Sequence, residues 1–200
     1  MSSKVPAFVR LLAPNGALEL HEEAWNGYPY CKTVLTNEYM KENFKIVLES
    51  LHVGDRGDSE NALNLSPEEL KKRTVEKIDI AEQLLETKDY KEDEDPTLFH
   101  SEKTGRGPLK DNWIEKVDPV MCCYKVVTCE FKWFGLQNKI ENFIQKTNKY
   151  LLYKFHRQVF CWIDKWVEMT IEDIRKLEAD TKLDLEKRIK EGEVTNKSQD

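Results

Sequence analysis

The sequence predicts an α+β domain, a concave antiparallel sheet gripping long C-terminal helices. Three observations carry this. Apolar and polar side chains alternate in short runs over residues 17–22, 30–36 and 44–53. A fourth run, Met121–Trp133, is apolar at both parities, as a strand covered on two faces must be. From Leu136 the apolar period becomes helical and continues to Trp166.

The elements follow in order. PAFVRLL at 6–12 reads as a short helix with Pro at its start, and Pro14-Asn15-Gly16 as a turn. The first strand, Ala17–Glu22, sets Leu18 and Leu20 against Glu19 and His21. Asn26-Gly27, flanked by Trp25 and Tyr28, is a hairpin signal, because both residues tolerate a positive φ. Tyr30–Thr36 and Phe44–Val53 are the next two strands, and 54–66 is a loop. Ser66-Pro67-Glu68-Glu69 starts a helix with a Ser cap, Pro in the first turn and an acid at the third position, running toward Lys77. Val75, Ile78, Ile80, Leu84 and Leu85 mark a further buried piece. Residues 86–112 form a polar insert with no period of its own, a kind of segment that is usually functional or disordered.

Gly135 ends the long strand. Leu136, Ile140, Phe143, Ile144, Leu151, Phe155, Val159, Ile163 and Trp166 share one stripe, and a helix of thirty residues would be about 45 Å long. Thr170, with Asp173 at the reciprocal position, caps a last helix whose stripe is Ile174, Leu177, Leu185 and Ile189. The expected organisation is one domain over 1–190 and a polar tail over 191–200, fraying from about Lys190.

At 200 residues, 40% apolar and 10% aromatic, the chain can build a core and is neither collagen-like nor disordered throughout. No apolar run approaches the ~20 residues that span a bilayer, and residues 1–6 hold no signal-peptide core, so the expected address is cytoplasmic. Five cysteines without C-x-x-C spacing read as reduced thiols rather than as a disulfide framework or a zinc site. The net charge of −6 argues against nucleic-acid binding. It is uneven: residues 51–100 carry −7, whereas 101–170 carry +4 and most of the tryptophans. A basic, aromatic stretch of that kind can face anionic lipid, or can be a helix with a solvated Lys face.

No catalytic constellation emerges. Gly105-Arg106-Gly107-Pro108 lacks the Lys-Ser/Thr of a phosphate loop, and there is no G-x-S-x-G elbow. The histidines at 21, 52, 100 and 156 form no metal-ligand spacing. The reading is therefore not an enzyme, with no metal and no cofactor.

Several blocks do carry a resemblance: SKVPAFVRLLAP at 3–14, HEEAWNGYPYCKT at 21–33, TNEYM at 36–40, KTGRGPL at 103–109, FKWFGLQNK at 131–139 and FHRQVFCWIDKW at 155–166. Together they resemble the phosphatidylinositol transfer proteins, most of all the small single-domain class I members. The resemblance implies a START-like helix-grip fold around a lipid cavity. It also implies a carrier that moves phosphatidylinositol or phosphatidylcholine between membranes without chemistry, the phospholipid being cargo. By motif, Glu22, Asn26 and Glu178 match headgroup-contacting positions, and Cys31, Thr33 and Phe155 match cavity-lining ones. Trp133-Phe134 stands where the family carries a membrane-inserting Trp-Trp pair. Phe lacks the indole N–H suited to the interface, so docking is expected to be weakened. Lys132 and Lys139 would meet lipid phosphates. Ser101 matches a position linked to regulation by phosphorylation, beside Lys103 and Arg106.

The resemblance implies a monomer when loaded, cytoplasmic and transiently at Golgi and ER membranes. It begins inside the family pattern. The expectation is an N-terminally truncated domain, with edge strands, a helix and further headgroup contacts belonging upstream of Met1. The alternative reading is a truncated product that docks on membranes or partner proteins without transferring lipid.

Overall fold

In a computed structural model, residues 19–197 are described; the expected helix at 6–12 and turn at 14–16 lie outside that span. The class is α+β, as expected. Four antiparallel strands pair in the order β1 (His21–Gly27), β2 (Tyr30–Thr36), β3 (Phe44–Val53) and β4 (Cys122–Phe131).

β2 and β3 occupy the residues their alternation marks out, and β4 lies within the expected Met121–Trp133. The first hairpin differs. Asn26 and Gly27 are not the turn but the last pairs of the ladder, opposite Cys31 and Tyr30. The loop is Tyr28-Pro29, where a residue without an N–H costs the ladder nothing. The strand accordingly runs on to Gly27, well past the expected end at Glu22.

Helix α1 (Pro67–Lys72) carries the expected capping box: Glu69 N–H donates to Ser66 Oγ, and Ser66 N–H donates to the Glu69 carboxylate at 2.8 Å. It stops short of Lys77 because Arg73 turns extended, its guanidinium donating to the Glu60 carbonyl at 2.6 Å. A single turn, α2 (Trp113–Lys116), precedes β4. Helix α3 (Gln137–Cys161) begins where expected, but the helix breaks at Trp162 and resumes as α4 (Ile163–Trp166). Helix α5 (Ile171–Lys197) has the expected Thr170–Asp173 reciprocal cap and continues through Lys190 instead of fraying there.

The described chain divides into two compact units, residues 19–85 with 110–155, and 86–109 with 156–197. The first holds the sheet. Phe44 and Ile46 are buried, and the Phe44 ring meets Phe131 edge-on at 6.3 Å. Along the outer side of β4, Glu141 accepts from Phe131 N–H at 2.9 Å and Gln145 donates to the Val127 carbonyl at 3.0 Å. Two side chains one helical turn apart on α3 thereby satisfy backbone groups that an edge strand would otherwise leave open.

Of the two readings of the polar insert, functional or disordered, the second unit sets aside the disordered one. Leu109, Glu94, Asp95 and Ser101 are all buried. Phe99 meets Phe160 edge-on at 5.9 Å. Gly107 has φ +79°, and a Cβ there would lie 2.3 Å from the Phe99 carbonyl oxygen, so only glycine fits. The buried charge is compensated. Arg157 pairs with Asp95 at 3.0 Å, and Glu94 accepts from Lys91 at 2.9 Å and from Gln158 at 2.8 Å. Burial pushes the Asp95 carboxyl up, but bonds from Thr97 and Tyr90 and the Arg157 charge outweigh it and hold the group below the usual range.

Phe44→Ala removes a ring from the buried face and leaves Phe131 without its partner. It is expected to destabilise the chain by about 3–5 kcal/mol in urea unfolding.

Candidate functional site

Side chains directly opposite in an antiparallel ladder lie on the same face, and successive residues alternate. The register therefore assigns one face to Glu22, Ala24 and Asn26 of β1, Cys31, Thr33 and Leu35 of β2, Ile46, Leu48, Ser50 and His52 of β3, and Cys123, Lys125, Val127 and Cys129 of β4. This face is graded along the strands. One transverse row runs Glu22, Leu35, Ile46, Cys129, with the carboxylate at its β1 edge; the next runs Ala24, Thr33, Leu48, Val127. Beyond these, toward the hairpin, the row is Asn26, Cys31, Ser50, Lys125. Across β2, β3 and β4 an apolar floor thus gives way to a polar end.

Buried Ser50 accepts from Lys125 Nζ at 2.8 Å. Beside this pair His52 faces Cys123, with Nε2 3.3 Å from Sγ, and the Tyr28 ring stacks on His52 at 5.8 Å. Burial pushes the Cys123 thiol up, while the Lys125 ammonium opposes the rise. At the apolar end, burial pushes Cys129 up to about 11, with Glu141 and Glu130 adding to it. The opposite face is differently built: Glu49 bridges Lys32 at 2.6 Å and Tyr30 at 3.0 Å, and the Lys32 bond holds its carboxyl low. Among the described residues no group of acids, histidines and cysteines is placed to hold a metal ion.

The expected site residues lie on the sheet, on α3, on α5 and at the corner after β4. Asn26, Cys31 and Thr33 come together on the graded face. Glu22 shares that face but sits four residues from Asn26, about 13 Å along the strand, at the apolar end. Phe155, on α3, is 50% exposed. Glu178, on α5, pairs with Arg175 at 2.7 Å; Ile174, Leu177 and Leu185 along the same helix are exposed. At the corner after β4, Trp133 stacks on Phe131 at 6.4 Å, while Phe134 is fully exposed ahead of Gly135. Lys132 lies 3.7 Å from Glu130, and Lys139 is exposed.

Ser50 and Lys125 are absent from the sequence-based set. Their parity within β3 and β4 marks them as sharing a face with Ile46 and Val127, but only the register aligns them with Asn26.

The chain matches the family model described as phosphatidylinositol transfer protein over residues 1–183. The chain belongs to the phosphatidylinositol transfer protein family. It is 52% identical to the beta isoform of phosphatidylinositol transfer protein from Mus musculus, over 99% of this chain and 75% of the relative. The Homo sapiens beta isoform gives the same identity and coverage. Phosphatidylinositol transfer protein 1 of Dictyostelium discoideum is 50% identical over 96% of this chain and 73% of its own length.

Within this family member, the serine expected as a regulatory site has a particular setting. Ser101 is fully buried; its hydroxyl donates to the Asp164 carboxylate and accepts from Thr104 N–H at 3.0 Å. Asp164 also accepts from Glu102 N–H at 3.0 Å and Lys103 N–H at 3.3 Å, while Lys103 Nζ pairs with Glu168. The Ser101 hydroxyl, then these amides, hold the Asp164 carboxyl below its ordinary 3.8. A kinase could reach Ser101 only after this ring of bonds opens.

A carboxyl with a lowered folded-state value contributes stability above its ordinary value, and loses it as pH falls through the lower one. Tryptic cleavage after Lys103 and Arg106 is therefore expected to accelerate in the Asp164→Asn variant at neutral pH. In the parent chain the same opening, followed by hydrogen exchange at residues 101–106, is expected only below about pH 4.

Proposed function

We propose that the chain binds one molecule of phosphatidylinositol or phosphatidylcholine, carries it as a monomer through the cytoplasm, and exchanges it at membranes, Golgi and ER among them, with no covalent step. Family membership supports the activity. The observation that carries the site is the gradient on one sheet face, from the Leu35–Ile46–Cys129 row to the Asn26–Cys31–Ser50–Lys125 row.

The physics of a lipid monomer fits that gradient. Each CH₂ withdrawn from water is worth about 0.8 kcal/mol, so the acyl chains need the apolar floor. The phosphodiester needs a cation and donors, which Lys125 and Ser50 supply, and inositol hydroxyls need partners such as Asn26. Glu22 and Glu178 are proposed headgroup contacts on the strength of the resemblance. Cys31, Thr33 and Phe155 are proposed to line the acyl and glycerol region. Docking is assigned to Phe134 and Trp133, an exposed phenyl ring and a half-exposed indole at the end of β4, flanked by Lys132 and Lys139.

Transfer of labelled phosphatidylinositol and phosphatidylcholine between vesicles tests this. The parent chain is expected to transfer both lipids. Lys125→Met is expected to lower both by about tenfold or more, the loss of a charged hydrogen bond. Glu178→Ala is expected to lower phosphatidylinositol transfer alone, and Phe134→Asp to reduce vesicle binding. Vesicle binding without transfer by the parent chain would overturn the carrier reading.

A further inference from the structure

Cys123 differs from the other thiols in its surroundings. It faces His52 directly across the β3–β4 ladder, Sγ 3.3 Å from Nε2. The other ring nitrogen of His52, Nδ1, lies 3.1 Å from the Pro29 carbonyl oxygen. A carbonyl only accepts, so Nδ1 carries the hydrogen and the neutral ring turns its Nε2 lone pair to the thiol. A nucleophile, a base and a group that orients the base are thus in line. The Tyr28 ring stacked on His52 holds the imidazole from one side. Lys125, two residues along on the same face, puts its ammonium within reach of Sγ while bonded to Ser50 at 2.8 Å.

We propose that Cys123, with His52 as its base and Lys125 as its cation, is a covalent modification site for α,β-unsaturated aldehydes, the soft electrophiles released by oxidised unsaturated acyl chains. The inference rests on the lipid-facing reading of this sheet face only for how the aldehyde arrives. Sulfur bonds to the β-carbon of the aldehyde as its proton passes to His52 Nε2. The carbon–carbon π pair shifts to join the α-carbon to the carbonyl carbon, and the carbonyl π pair moves to oxygen, forming an enolate beside the Lys125 ammonium. His52 then returns the proton to the α-carbon. The product is a thioether; nothing leaves and nothing is oxidised.

The surroundings also select this thiol. Burial pushes Cys161, in the other unit, up to about 12 and Cys129 up to about 11, and Glu141 and Glu130 add to the rise at Cys129. Cys122, the neighbour of Cys123, points to the opposite face, where burial and then the Asp55 carboxylate disfavour its thiolate. Cys31 shares the face but lies opposite Ser50, not His52.

The test treats the full chain with hydroxynonenal at neutral pH and follows adducts by tandem mass spectrometry, which separates Cys122 from Cys123. The adduct is expected first on Cys123 and absent in Cys123→Ser. His52→Gln, with its circular dichroism unchanged, is expected to slow Cys123 labelling by about tenfold or more. Labelling that begins at Cys31 or Cys122, or an unchanged rate in a folded His52→Gln chain, would overturn the proposal. Should His52→Gln not fold, the order of labelling in the parent chain decides. Phosphatidylinositol loading of the adducted chain is measured separately. Retained loading counts against the lipid-facing reading of the face, whereas failed labelling with intact transfer counts against this site alone.

Discussion

Ten consecutive pairs between β3 and β4, from Phe44 with Phe131 to Val53 with Cys122, decide which side chains share a face. Because strand side chains alternate with a period of two, a slip of one residue would exchange the two faces of the strand that moved. Were β4 to slip, Lys125 would turn to the side now occupied by Tyr124 while Ser50 kept its place, and the Leu48–Val127 pair would be split between the two faces. Two features pin the register. The Phe44–Phe131 edge contact sets one end, and the Glu141 and Gln145 side chains of α3 fix Phe131 N–H and the Val127 carbonyl. Every proposed role on the face, for lipid or for thiol chemistry, is downstream of that ladder.

What the sequence made legible was what depends on local chemistry. Alternation placed β2 and β3, and reciprocal caps placed the starts of α1 and α5. What escaped depended on partners distant in the chain. Asn26-Gly27 has turn chemistry, yet Cys31 and Tyr30 draw both residues into the ladder. The stripe read along α3 treats Leu151 and Phe155 as core, but both are exposed. Buried instead are Tyr153, Arg157 and Cys161, spaced four apart on one helix face. A periodicity count cannot recognise that face, since its central member is an arginine buried by virtue of Asp95, 62 residues earlier. Ser50 and Lys125 were overlooked for a similar reason: parity is local, whereas alignment with Asn26 requires two registers at once.

The second unit shows how a polar segment can pack. Residues 86–109 offer few apolar side chains, so order comes from satisfied polar groups: Asp95 with Thr97 and Arg157, Glu94 with Lys91 and Gln158, Ser101 with Asp164 and Thr104. Such a network costs little while complete and much when one member is lost, because the remaining partners keep their burial without their bonds. That asymmetry makes Ser101 a poor substrate in the closed arrangement. It would also make a phosphate there disruptive, placing up to two negative charges against the Asp164 carboxylate.

The uneven charge acquires a different meaning in the fold. The +4 excess over residues 101–170 suggested a basic surface for anionic lipid. Several of those cations are already engaged: Lys149 with Glu76, Lys103 with Glu168, Arg157 with Asp95, Lys132 beside Glu130. Lys125 bonds Ser50 on the graded sheet face. Because Glu76 and Asp95 lie outside residues 101–170, the charge available for attraction at a distance is smaller than the excess implies, and exposed pairs contribute little in salt. What remains unpaid in water at the end of β4 is apolar, the fully exposed Phe134 ring next to a half-exposed Trp133. Contact with a bilayer through this corner would draw its free energy from withdrawing those rings from water, at about 25 cal/mol per Å², with the lysines setting orientation more than strength.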